Sequence, residues 1–311
     1  MLFGRSVHFL FGLTEADCLC DHCIASGLYM HPATDNPDTF ASVWGSAGLL
    51  NGNRAGLVSV TYRHLSPPEI VKLAEEAGLK VLEWGGDVHV PVGNIEAARR
   101  VKTLTCDAGL ETICYGSYYR VGHEAEGSMP AFDGVLATAI ALGAPSIRVW
   151  AGTQGSDESD DGYFRRVCED ASRIADLAGA YGVRIAFEFH GGTLNDNAEA
   201  AARLLAALPH PNIGTLWQPL VSLDEEQQFR SLVAVLPRLA HVHVFHWLPG
   251  DPIDRRPLSE GAGSWRAWLK KMHATGRSPD CLLEFVQHDR PSVLGPDAAT
   301  LGGLLAEPHG D

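Results

Sequence analysis

The sequence predicts a parallel (β/α)8 barrel, and three observations lead to it. Eight short β-branched or apolar runs succeed one another from Ala55 onward, amphipathic helical stretches lie between them, and the strand starts fall 24 to 40 residues apart. Strands alternating with helices make a parallel sheet, and eight is the number of strands that closes one into a barrel.

The runs are Gly56–Thr61, Lys80–Glu83, Glu111–Tyr115, Ser146–Trp150, Arg184–Phe189, Ile213–Trp217, His241–Phe245 and Cys281–Val286. Each is too short for a helix and has the composition of a buried strand. Ser66-Pro67-Pro68-Glu69 joins a capping box to first-turn proline, and Ile70, Leu73, Ala74 and Ala77 then mark one helical face before Gly78 ends it. Ser222-Leu223-Asp224-Glu225 opens a second helix in the same way. Tyr163–Ala178, Asn197–Leu208 and Trp265–Ala274 also read as helices, with Gly182 and Gly276 beyond helix ends. The rival architecture, a doubly wound open sheet, usually carries a glycine fingerprint after its first strand. Thr61-Tyr62-Arg63-His64 has none.

Residues 1–53 read differently, as an irregular N-terminal extension before a barrel over 54–311. They mix Gly, Asp, Asn, His and Pro without a sustained period. Cys18, Cys20 and Cys23 with His22 form a C-x-C-x2-C cluster, but a zinc site would want a second pair at finger-like distance. A loosely ordered extension is the expectation, and a natural start near Leu49 or Leu50 is a further one.

Composition excludes several classes of function. The 311 residues carry 24 basic and 38 acidic side chains, a formal charge of −14, which repels phosphate backbones and argues against a nucleic-acid partner. No run reaches the ~20 apolar residues of a membrane span, and the Val7–Leu13 patch lacks the flanks of a signal peptide. Cys106, Cys114, Cys168 and Cys281 are scattered through apolar segments, as in a reduced cytoplasmic core.

Active residues of such barrels sit at the C-terminal ends of the strands. The polar residues there include Arg63 and His64, Glu83 with Asp87 and His89, Tyr118 and Arg120, Arg148 and Trp150, Glu188 and His190, Gln218, His243 and His246, and Glu284 with Gln287. Glu188 and Glu284 stand inside otherwise apolar strands, where a carboxylate must be paired, protonated or bound to a cation. His243 alternates with valines and faces the same side as His241. Two carboxylates and one imidazole suit a divalent ion such as Mn2+, Mg2+, Co2+ or Zn2+. The alternative is a buried charge network with Arg148 and Arg184.

From about residue 55 onward the chain resembles the xylose isomerase-like barrel superfamily of sugar phosphate isomerases and epimerases. The matching strings are Glu83-Trp84-Gly85-Gly86-Asp87-Val88-His89, Phe187-Glu188-Phe189-His190-Gly191-Gly192, His241-Val242-His243 and Leu283-Glu284. The resemblance implies metal ligands Glu188, Gln218, His243 and Glu284. Gln218 stands where the family usually has Asp, and His246 where Asp or Glu is common. Three readings follow: a weaker site, a site that recruits His190 or His246 and prefers softer metals, or a site without metal.

The resemblance further implies metal-assisted proton abstraction beside a carbonyl, with Glu188 and Glu284 moving protons on a small carbohydrate. His89, Arg148, Trp150, His190 and Trp217 would bind the substrate, in a chain compatible with a homo-oligomer. The alternatives are a dehydratase or lyase acting on a keto-sugar or inositol derivative, and a non-catalytic sugar-binding homologue. The DNA-repair endonuclease branch fits least, given the charge and the sparser ligand set.

Overall fold

The computed structural model describes residues 53–124, 127 and 130–308. The extension with its Cys18/Cys20/Cys23 cluster lies outside the described residues, as does the proposed start near Leu49 or Leu50. The barrel strands are β1 (Ala55–Val58), β2 (Val81–Gly85), β3 (Glu111–Arg120), β4 (Ser146–Trp150), β5 (Arg184–Glu188), β6 (Ile213–Trp217), β7 (Leu239–Val244) and β10 (Asp280–Leu283). They pair in parallel and close in the order β1-β10-β7-β6-β5-β4-β3-β2. All eight predicted strands are therefore present, at shifted ends. The first stops at Val58 and passes into a tight 3-10 turn over Ser59–Tyr62. The last stops at Leu283, leaving Glu284 on the loop at its exit and Phe285 in the left-handed region at φ 43.

Helices α1 (Pro67–Glu76), α2 (Ile95–Asp107), α3 (Phe132–Leu142), α4 (Asp161–Gly179), α5 (Ala198–Ala207), α6 (Glu225–Val235), α7 (Ala262–Ala274) and α8 (Pro291–Ala306) surround the strands. Local chemistry sets their starts. Ser66 and Glu69 form the predicted capping box of α1, and Asn197 caps α5. The box opening α6 sits two residues later than predicted, on Asp224 and Gln227. On α5 and α6 the Asn197 and Asp224 side chains accept from first-turn amides that have no partner inside the helix, and on α1 Glu69 accepts from the Ser66 amide and hydroxyl. The apolar faces pack onto the barrel wall, where Trp84, Trp217 and Trp265 are fully buried.

A small antiparallel hairpin, β8 (His246–Leu248) with β9 (Asp254–Arg256), follows β7 on the mouth side of the barrel. Its strands are too short for a sequence period to reveal. No described helix is long and apolar enough to cross a membrane. Among the described residues, Cys114, Cys168 and Cys281 form no disulfide.

Candidate active site

Strand register determines which polar side chains meet. Arg148 on β4 is level with Gly116 on β3 and Ala186 on β5, and His243 on β7 is level with Leu282 on β10. Small residues beside Arg148 leave its guanidinium room to cross the barrel interior. A Cβ at Gly116 would lie 2.5 Å from Arg148 Nη2 and 2.8 Å from Glu83 Oε1, so only glycine fits there.

Glu83 is the centre of the lower layer and is fully buried. Its Oε1 accepts from Arg148 Nε at 2.6 Å, and its Oε2 accepts from His241 Nε2 at 3.0 Å and His243 Nε2 at 3.1 Å. Burial pushes the carboxyl pKa up, but Arg148 and His243 outweigh it and hold the group well below the usual carboxylate range. An ionised carboxylate only accepts, so both imidazoles carry their proton on Nε2. Cys114 lies against Glu83 and His241 in the same layer, and burial pushes its thiol pKa up.

The upper layer opens toward the mouth. Glu188 Oε2 accepts from Arg148 Nη1 at 2.5 Å and from the Trp150 indole, and Oε1 accepts from Gln218 Nε2 at 3.0 Å. Burial opposes the charge on Glu188, yet Arg148 and His243 keep its pKa lowered. His243 Nδ1 is 3.4 Å from Glu284 Oε2 and 4.0 Å from Glu188 Oε1, and it is buried without a hydrogen-bond partner. Burial alone disfavours imidazolium here, but Glu284 and Glu83 push the pKa up to about 10.

Those atoms could hold a divalent ion. Glu188, His243 and Glu284 each offer one ligand atom, all within 4.8 Å of one another. Bonds of about 2.1 Å put ligand atoms about 3 to 4.2 Å apart, and the two distances from His243 Nδ1, 3.4 Å to Glu284 and 4.0 Å to Glu188, fall in that range. The unpartnered Nδ1 is the atom such an ion would take. Gln218 behaves differently from the expectation for a ligand. Its amide nitrogen donates to both Glu188 Oε1 and the Phe189 carbonyl, each at 3.0 Å, so it holds Glu188 in place.

The family described as a xylose isomerase-like TIM barrel matches residues 71–302. The chain belongs to this family. No curated protein matches it in sequence. Among solved structures, a probable 3-DHS dehydratase from Bacillus anthracis aligns with TM-score 0.67 at 20% identity, over 80% of this chain and 98% of that one. A xylose isomerase-like TIM barrel protein from Mycobacterium smegmatis in complex with magnesium gives 0.61 at 15% identity, covering 81% and 96%. The 3-keto-D-glucoside 4-epimerase of E. coli gives 0.61 at 16%, covering 81% and 98%. At such identities the shared property is the fold.

Within this xylose isomerase-like barrel, Trp150 and His190 are partly exposed beyond β4 and β5, and Arg148 is buried between Glu83 and Glu188. The Trp150 ring stacks on His190 at 4.5 Å between centroids, and the Arg120 guanidinium carbon is 3.3 Å from its centroid. Trp217 does not reach the mouth. Strand alternation turns it outward between Leu216 and Gln218, where it donates to Ser231 on α6 and packs on Trp265 and Trp268 of α7. Trp217 is thus part of the wall, a correction to its expected place on the substrate. His89 also turns away: it is buried, bonded to Ser59 Oγ at 2.9 Å and edge-on to Trp84. His246 lies against Gly261 at the start of α7, outside the carboxylate cluster. Arg184 stands at the opposite end of β5 from Glu188, so the buried charge network forms with Arg148 and Glu83 instead. Glu83 is the residue sequence reasoning undervalued. Its signal was the same as that of Glu188, a carboxylate inside an apolar strand, Val81-Leu82-Glu83-Trp84.

Proposed function

We propose that this barrel is a metal-dependent carbohydrate isomerase or epimerase that abstracts a proton from the carbon beside a carbonyl. One observation carries the reading: the buried, unpartnered Nδ1 of His243 lies between the carboxylates of Glu188 and Glu284. Glu188, His243 and Glu284 would hold a divalent ion such as Mn2+, Co2+, Mg2+ or Zn2+, and Gln218 would steady Glu188 beside it. When bound, the ion supplies Lewis acidity for a carbonyl oxygen and an adjacent hydroxyl.

The remaining chemistry belongs to the side chains. Arg148 and Trp150 donate to Glu188 Oε2 and Gln218 donates to Oε1, so these three side chains fix the carboxylate that takes the proton from one side of the reacting carbon. Glu284, at the exit of β10, returns or removes the proton from the other side of the reacting carbon. Arg148 and His190 orient hydroxyls, and the buried lower layer excludes water from beneath the substrate.

The test is solvent deuterium uptake. The protein is loaded with Mn2+, Co2+, Mg2+ or Zn2+ in turn and incubated in D2O with a panel of ketoses and keto-sugar acids, and the products are read by NMR. Deuterium at the carbon beside the carbonyl, absent with Glu188→Gln, supports the reading. Loss of water from the product would place the reaction among eliminations. Failure to bind any of the four ions would sink the metal-dependent assignment.

A further inference from the structure

Several arginines stand toward the C-terminal end of the barrel, and Arg63, Arg148 and Arg255 are each paired with carboxylates there. Arg63 Nε meets Asp87 at 2.5 Å, Arg148 joins Glu83 and Glu188, and Arg255 meets Asp289 at 2.6 Å. Arg120, the last residue of β3, has no carboxylate partner among the described residues. Its contacts are the Trp150 ring and a long hydrogen bond to the Gly152 carbonyl at 3.4 Å. Arg120 is also partly buried, and the loss of water pushes its pKa down, with Glu188 only partly offsetting this. A desolvated guanidinium without a counter-ion is an unfavourable arrangement unless an anion completes it.

The position of Arg120 indicates where that anion would come from. Arg120 is level with Trp150 in the β3–β4 register, and the Trp150 indole donates to Glu188. Arg120 therefore stands one indole away from the carboxylate assigned to proton transfer. Glu188 already accepts from Arg148, Trp150 and Gln218, so it is not free to serve as the counter-ion. Stacking on Trp150 fixes the plane of the guanidinium, and a fixed planar fork favours two-point binding of a carboxylate or phosphate. The formal charge of −14 does not oppose this at short range, because distant surface charges are screened beyond ~10 Å.

We infer that the substrate carries an anionic group, a carboxylate or a phosphate, and that Arg120 binds it beside the Trp150 ring at the barrel mouth. The inference rests on reading this mouth as the carbohydrate site.

Three small probes that differ in one group test it: glycerol, D-glycerate and glycerol 3-phosphate. Binding to the full chain is measured by saturation-transfer NMR, once with Mg2+ and once after chelation. Wild type should prefer at least one anion over glycerol by about tenfold, the size of one charge-assisted hydrogen bond. Arg120→Gln should bring the preference to within about twofold, and Arg120→Lys should keep part of it, since the charge stays and the fork goes. Preference for glycerate alone identifies a carboxylate, and preference for glycerol 3-phosphate alone a phosphate. If wild type prefers neither anion, or if Arg120→Gln keeps the preference, the inference is overturned. Circular dichroism and the melting temperature of each variant separate this result from misfolding. Failure of Mg2+ to bind while the anion preference persists would remove the metal reading and leave Arg120's role intact.

Discussion

His243 and Glu83 meet at 3.1 Å through Nε2 and Oε2, and this contact leaves Nδ1 of the same ring facing Glu188 and Glu284. The imidazole thus has one nitrogen tied to a buried carboxylate and the other exposed to two more. Carboxylates that hold the far nitrogen of a ligating histidine commonly set its tautomer and strengthen the metal site. Glu83→Gln keeps the shape and removes the charge that Arg148, His241 and His243 share. The expected loss of stability is about 3 kcal/mol, the lower end for breaking a buried pair, because Arg148 loses one of its two carboxylates and keeps Glu188. Urea unfolding checks this figure. Metal affinity measured by calorimetry should fall about 10–100-fold in the variant.

The pH dependence follows from the same ring. His243 is held at about 10, against an ordinary value of 6.5, so without metal it is an imidazolium at neutral pH. A folded pKa above the unfolded one contributes stability that is fully present below 6.5 and is lost as pH rises through about 10. Metal needs the neutral ring, so loading should release about one proton and the apparent affinity should rise with pH across that window. Titration calorimetry in buffers of different ionisation enthalpy measures the proton directly. An affinity flat between these pH values would show that His243 is not a ligand.

Gln218→Asp is expected to trade stability for metal affinity. The substitution removes the amide that donates to Glu188 Oε1 and the Phe189 carbonyl, and it places a second negative charge beside Glu188. The metal-free variant should therefore melt lower than wild type. With a third carboxylate available, binding of Mn2+ or Co2+ should tighten on the order of tenfold. Parallel melting curves with and without metal test both halves. Unchanged affinity would mean that residue 218 acts on Glu188 alone.

Trp217 gives the opposite kind of control. It is fully buried and packs on Trp265 and Trp268, away from the mouth. Trp217→Ala should cost about 3–5 kcal/mol in unfolding experiments. At a temperature where the variant is folded, its metal affinity should stay within about twofold of wild type, the usual behaviour of independent sites. A selective loss of metal or substrate binding would place Trp217 at the site after all.

Much of the site could be read from residue type and position. Glu188, Glu284 and His243 were marked by being polar within apolar strands, and the barrel rule placed them at one rim. Glu83 had the same mark, but its importance comes from four partners on β3, β4 and β7, and contacts between distant strands leave no local pattern. The side that Trp217 faces is not legible in the sequence, because a strand buried on both faces shows no alternation to tell inside from outside.

Amphipathic spacing, capping residues and eight apolar runs determined the (β/α)8 architecture from sequence alone, because periodicity and capping act over a few neighbouring residues. Tertiary structure alone decided three things: that Glu83 anchors Arg148, His241 and His243, that Gln218 turns its nitrogen to Glu188, and that Arg120 stacks on Trp150 and makes no ion pair among the described residues. Each depends on which side chains meet across a closed barrel. Strand register and small residues such as Gly116 settle that, and neither can be read from a segment taken by itself.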